Sequence, residues 1–365
     1  MVEFEEFDLR KQEQTMAEEH KRRKRYAGKY PRRFEEKYKE QNPELYPEMI
    51  AHVIEKGSTP AGMHISICVE EILELLQIQP GEKGCDCTLG YGGHTRAMLE
   101  KLEGKGHLCA LDVDPIESVK TEKRLREAGF GEELLTIRHI NFADIDQAAE
   151  KDGPFDFLLA DLGVSSMQID DPKRGFSYKL DGPLDLRLNP EKGVSAAERL
   201  AELNEDEIEG MLLENADEPY ARPIAKAIRE AERRGRIETT TQLRQIIEQV
   251  IRKENKKSSE AELKELAKKS CQRSFQAIRI DINHEYEVLY SLLEKLPEVL
   301  APGGRAAILT FHSGEDRLVK KMFKEGKRSG VYSEISKDLI KAGQEECFRN
   351  PRARSAKLRY AIKAR

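Results

Sequence analysis

Hydrophobic and polar positions between residues 64 and 161 change period repeatedly along the chain. Ile67, Val69, Ile72, Leu75 and Leu76 follow helical spacing, so one apolar face is expected to pack on a sheet. Short apolar runs then mark strands over 84–86, 106–111, 134–139 and 155–161, with helical patterns over 95–102 and 115–128 between them. Strand–helix alternation of this kind predicts a parallel sheet with helices on both faces. In such sheets ligands sit beyond the carboxyl ends of the strands. Asp112, Phe142 and Asp161 all fall at or just past predicted strand ends.

The pattern breaks after Asp161. A polar, glycine-containing stretch over 162–187 is too long for an ordinary connection and is expected to be functional. Helical spacing then dominates over 196–203, 206–214, 221–234, 241–253 and 259–269, rich in surface Arg and Lys. Thr240 and Ser259 are candidate N-caps, and Ser259 has Glu262 three residues on, as a capping box requires. The α/β pattern resumes with a long helix over 275–300, stopped by Pro302, Gly303 and Gly304. A late strand over 305–311 ends at His312, a helix follows over 315–324, and 349–359 starts basic and closes as a last strand. The expected architecture is α/β and doubly wound. Its parts are an extension over 1–60, a main domain over 61–171 and 271–365, and an inserted α-helical domain over 172–270.

Composition adds three constraints. Charged residues make up 35% of the 365 residues, well above the usual quarter, which implies long solvated helices and tails. Net charge is only −5, so local patches matter more than the total. One such patch lies over 21–33, basic with interleaved Tyr26 and Tyr30, able to neutralise phosphates or simply to form a solvated tail. A short amphipathic helix is expected over 46–55. The six cysteines form no C-x-x-C pair, so neither a zinc site nor a disulfide framework is expected, and no metal is assigned. No apolar run is long enough to span a membrane and no signal peptide is evident, which makes the cytoplasm the default compartment.

The candidate chemistry centres on the turn after the first strand. GYGGH at 90–94 is more compact than the dinucleotide pattern, and no P-loop string follows. Asp112, at the tip of the second strand, is placed to hold ribose hydroxyls. A ligand with a nucleoside but no phosphates, such as S-adenosylmethionine, suits these residues.

Longer strings identify a family resemblance. They are TLGYGGH at 88–94, LDVDP at 111–115, NF at 141–142, DLGVSSMQ at 161–168, RGFS at 174–177, GPLDLR at 182–187, FQAIRI at 275–280, FHSGEDR at 311–317 and NPRARS at 350–355. In that order they resemble the ribosomal RNA small-subunit methyltransferase H (MraW) family. The resemblance implies a Rossmann-like class I S-adenosylmethionine-dependent methyltransferase with a helical insertion. The implied reaction is methylation of the exocyclic N4 of a cytidine in the decoding region of 16S rRNA. It implies cofactor contacts at Gly92, Gly93, His94, Asp112, Phe142, Asp161 and Gln168. Its partner would be 16S rRNA in the small ribosomal subunit, and a homodimer is allowed.

A cytosine N4 lone pair is delocalised into the ring, so the amine must be held in line with the methyl and given hydrogen-bond acceptors. Asp161, Ser165 and Ser166 occupy the place where many amino-methyltransferases carry an acceptor-rich motif, and are the catalytic candidates. Asp185, Arg187 and His312 are candidates for framing the base, and Arg352 and Arg354 for gripping the RNA. Two departures stand out. Gly314 replaces a Leu of the family pattern and is expected to loosen a loop near the substrate, and the extension before residue 60 is atypical. A methyltransferase acting on another RNA site, or a non-catalytic ribosome-binding paralogue, are the competing readings.

Overall fold

The computed structural model describes residues 66–365. The basic block over 21–33 and the helix expected over 46–55 lie outside them.

Seven strands form one sheet in the order β3-β2-β1-β4-β5-β7-β6. β1 (Lys83–Asp86), β2 (His107–Leu111), β3 (Leu135–Arg138), β4 (Phe155–Asp161) and β5 (Leu300–Thr310) run parallel, while β7 (Lys357–Lys363) inserts antiparallel between β5 and β6 (Tyr332–Ile335). Strand order reverses between β1 and β4, which opens a crevice at their carboxyl ends.

Period-two alternation sends each strand's side chains to two separate cores. Cys85, Cys109, Leu111, Leu158 and Ile308 pack on one face with Leu292 and Leu296 of a later helix. Leu108, Ala110, Phe157, Leu159 and Leu309 pack on the other, against Ile72 and Leu76 of α1 (Val69–Leu76) and Met98 of α2 (Gly93–Lys101). α3 (Pro115–Glu127) covers the same face through Leu125. The cysteines at 85 and 109 are wholly buried small residues, and every cysteine among the described residues is a free thiol.

A third core belongs to the helical region. α6 (Ala196–Glu202), α7 (Glu205–Ala216), α8 (Ala221–Glu232), α9 (Thr240–Glu254) and α10 (Glu260–Asn283) bury Leu200, Leu212, Ile224, Ile247 and Ile278 together. The capping box of Ser259 with Glu262 is present. At the previous helix the cap is Thr239 rather than Thr240, because the Thr240 hydroxyl instead donates to the Leu180 carbonyl, 2.7 Å away.

Several expected boundaries move. The helices predicted over 259–269 and 275–300 meet differently: α10 runs unbroken to Asn283, since Ser270, Cys271 and Ser274 are buried in its packing face and nothing there breaks a helix. The chain turns at His284, in the left-handed region at φ 50°, and α11 (Glu285–Val299) returns to the sheet. β5 already begins at Leu300, ahead of the Pro-Gly-Gly, and absorbs it as an irregularity in its pairing with β4. α4 (Ile145–Asp152), α5 (Ser166–Asp170), α12 (Ser313–Arg328), α13 (Gln344–Arg349) and β6 complete the α-helices and strands of the described residues; 145–152, 166–170, 332–335 and 344–349 have no counterpart in the sequence pattern. Gly314 is not in a loop. It lies in the first turn of α12, where an added Cβ would come within 2.0 Å of the Tyr286 hydroxyl. It permits close helix–ring packing and does not loosen the chain. Among the described residues no helix is long and apolar enough to cross a membrane.

Candidate active site

A cavity of about 350 Å³ opens where β1, β2 and β4 end. Asp86, fully buried at the tip of β1, ties the turn together. Its Oδ1 accepts from the Thr88 amide at 3.1 Å and its Oδ2 from the Thr95 hydroxyl at 2.6 Å. Burial pushes this carboxyl above its ordinary range, with the Thr95 hydrogen bond opposing. Gly90 and Gly93 line the cavity, whereas Gly92 sits behind it. Gly92 has φ 79° and a Cβ there would meet Thr121 of α3 at 2.8 Å, so its role is turn geometry and helix approach.

Asp112 reaches the cavity from the tip of β2. Each of its oxygens already accepts one backbone N–H at 2.8 Å, Oδ2 from Gly90 and Oδ1 from Asp114. The remaining lone pairs can take hydroxyl groups. Burial pushes its carboxyl up to about 6, with those two amides opposing. Phe142 starts the short turn after β3 and lines the same wall.

Asp161 ends β4, and its amide donates to the Thr88 hydroxyl at 2.8 Å, joining the tips of β1 and β4. The side chain is 28% exposed and lines the cavity, yet Oδ1 has no hydrogen-bond donor among the described residues. Burial pushes its carboxyl up to about 6; His94 opposes this, and Asp86 and Glu315 add to it. His94 Nδ1 lies 3.5 Å from Asp161 Oδ2, while its Nε2 is 3.0 Å from the Ile67 carbonyl. A carbonyl can only accept, so Nε2 carries a proton.

The loop after β4 is locked by local caps. Ser165 accepts from the Gln168 amide and Gln168 Oε1 from the Ser165 amide, a capping box on the single turn opened by Ser166. Gln168 lines the cavity and its Nε2 donates to Asp114 at 2.9 Å. Asp114 caps α3 and forms a buried ion pair with Arg174 at 2.7 Å. Arg174 also donates to the Arg187 and Leu188 carbonyls, and so fixes the returning loop.

Sequence reasoning placed other residues less directly. Asp185 and Arg187 pair with each other at 2.7 Å and do not line the cavity. His312 caps α12, with Nε2 3.2 Å from Glu315, and Glu315 rather than His312 reaches the cavity wall. Arg352 lines the cavity and lies 3.5 Å from Asp170, whereas Arg354 is exposed and away from it. Residues not singled out from sequence complete the far end: Arg279, Asn283, Glu285 and Glu315. FQAIRI at 275–280 and FHSGEDR at 311–317 carried two of them, but nothing in a helical pattern says which side chain turns toward a ligand.

A doubly wound sheet with this strand order, a glycine turn after β1 and acids at the tips of β2 and β4 defines a class I methyltransferase, with S-adenosylmethionine as the methyl donor. Residues 61–364 match the MraW methylase family, and the chain belongs to it. It is 66% identical over 346 residues to "Ribosomal RNA small subunit methyltransferase H 1" of Lachnoclostridium phytofermentans, covering 94% of this chain and 93% of that protein. Identity to the protein of the same name from Agathobacter rectalis is 63% over 352 residues, 96% of this chain and 100% of that one. "Ribosomal RNA small subunit methyltransferase H" of Thioalkalivibrio sulfidiphilus is 40% identical over 320 residues, which is 98% of that protein but 83% of this chain. The first two matches are too long to omit most of the first 60 residues, so that extension has counterparts in these relatives.

Proposed function

We propose that the enzyme methylates the exocyclic N4 of a cytidine in the decoding region of 16S rRNA, acting on the small ribosomal subunit. The observation that carries this reading is Asp161, a carboxylate at the tip of β4 that lines the cavity, in a family of methylases. Its relatives' names supply the rRNA of the small subunit. The residues present fit the donor, with free acceptor capacity at Asp112 for hydroxyls and the partly exposed, cavity-lining carboxylate of Asp161 for a cationic or N–H group. S-adenosylmethionine supplies an electrophilic methyl group on a sulfonium.

The protein's part is alignment and proton handling. Asp161 accepts a hydrogen bond from the target amine, which favours the pyramidal nitrogen of the transition state. Gly90, Gly93 and Asp112 hold the nucleoside end of the donor, and Phe142 packs beside it. Ser165 acts through its cap, keeping Gln168 and the loop in register. After transfer the nitrogen must lose a proton, and Asp161, whose carboxyl burial pushes up to about 6, is a group able to take it. The Gly314 departure gives no reason for a different substrate, since it lies under Tyr286 within a helix.

The test is to map methylated cytidines in small-subunit rRNA from a deletion strain with and without this gene. A decoding-region N4-methylcytidine restored by the wild type and not by Asp161→Ala is the expected outcome. A methyl restored on another nucleotide would refute the proposed specificity.

A further inference from the structure

The far end of the cavity is built from charged groups that the methyl-donor site does not need. Arg279, near the end of α10, is joined to Glu285 at the start of α11 by a two-pronged ion pair, Nε to Oε1 at 2.7 Å and Nη2 to Oε2 at 2.8 Å. The two residues flank the His284 turn, and their side chains are 16% and 11% exposed. Both line the cavity. No acceptor among the described residues takes Arg279 Nη1 or the second N–H of Nη2, so one N–H on each terminal nitrogen remains available, side by side, on a planar group whose direction the fork already fixes.

The surroundings hold that direction. Asn283, one turn beyond Arg279, accepts from the Leu188 amide at 2.7 Å and donates to the Leu186 and Arg279 carbonyls at 2.8 and 2.9 Å. This ties the α10–α11 corner to the loop across the cavity. Glu315 is close enough to feel Arg279 and to act on Asp161. Burial opposes its charge, but His312, the Phe311 amide and Arg279 outweigh that and hold its carboxyl below the ordinary range. The cavity therefore presents an acceptor, Asp161, and a fixed donor, Arg279, with the negative charge of the buried Glu315 beside them.

That order matches one nucleobase edge. Cytosine offers an amino donor at N4 beside acceptors at N3 and O2, whereas uracil offers an acceptor at O4 and a donor at N3. A base taken out of its stack is read along this edge. We propose that the Arg279–Glu285 fork is the base-reading element of the acceptor end, donating to N3 and O2 of cytosine while Asp161 receives the N4 amine. The inference rests on the N4-cytidine reading above. Uracil would set its N3–H against the guanidinium and its O4 against the carboxylates, and both contacts would be repulsive.

The experiment uses full-length enzyme and unmethylated small subunits, with cytidine 5′-monophosphate and uridine 5′-monophosphate as competing inhibitors. The wild type should prefer the cytidine nucleotide by about tenfold to a hundredfold, the scale of one two-pronged base contact. Arg279→Lys keeps the charge and removes the planar fork. It should lose that preference and transfer methyl more slowly, with S-adenosylmethionine affinity and melting temperature unchanged. Glu285→Gln, which loosens the fork while keeping Arg279, should lower the preference less, and serves if the lysine variant fails to fold. Equal inhibition of the wild type by both nucleotides, or a preference retained in a folded variant, would overturn the inference alone. Mapping the product in the same reactions separates the two ideas, because a methyl found on a base other than cytidine removes the underlying reading as well.

Discussion

The two ends of the cavity are made in different ways. At the donor end each carboxylate is satisfied by nearby turns: Asp112 by the Gly90 and Asp114 amides, Asp86 by Thr88 and Thr95. Strand tips and helix starts supply these partners as soon as the sheet forms. At the acceptor end Asp161 keeps an oxygen with no donor among the described residues, and the groups around it arrive from distant segments. Asn283 reaches Leu188, 95 positions away. One end is organised before any ligand arrives. The other holds a buried oxygen without a partner, which is costly, on a carboxylate whose remaining surface faces the cavity.

Three measurements press on this contrast. The largest effect is expected at Asp161. Asp161→Asn should lower the single-turnover rate of methyl transfer by on the order of 10²-fold or more, the scale for one preorganised polar contact, while S-adenosylmethionine affinity changes far less. Asp161→Ala should be slower still. A folded Asp161→Ala enzyme with near-normal transfer, its melting temperature measured alongside, would remove the residue from the mechanism.

Asp112→Ala should act on the opposite quantity. Calorimetry should show S-adenosylmethionine binding weakened by about 1–3 kcal/mol, with the fold intact. Unchanged affinity would mean that the tip of β2 does not hold the donor.

The smallest effect is in pH. Burial pushes Asp112 and Asp161 up to about 6, so in the free protein their ionisation opposes folding. That cost sets in above the ordinary carboxylate range and is complete above about pH 6, so their stabilising contribution is greatest at low pH. A donor that engages the charged forms has the opposite sign. Its affinity should fall as pH drops below about 6, by at most about tenfold per pH unit for each group. Titrations between pH 5 and 8 should show this slope in the wild type and a shallower one in Asp112→Ala. A flat wild-type profile would show that neither group has to lose a proton on binding.

What the sequence determined by itself is local. Alternation over 155–161 put Asp161 at a strand tip, and the spacing after GYGGH put Asp112 at another, because strand period and turn chemistry act over a few residues. The Ser259–Glu262 box marked a helix start for the same reason. Only the tertiary structure decided how distant pieces face each other. Helical spacing joined neither 259–269 to 275–283 nor Arg279 to the cavity, since continuity and side-chain direction depend on what packs against the helix. His312 was legible as a strand-end histidine, but packing turned it into a cap and brought Glu315 to the wall instead. Gly314 read as looseness until the Tyr286 ring was seen to occupy the space a side chain would need. Periodicity records which face of an element is apolar; the partner of that face, and the polar groups stranded between partners, exist only once the chain has closed on itself.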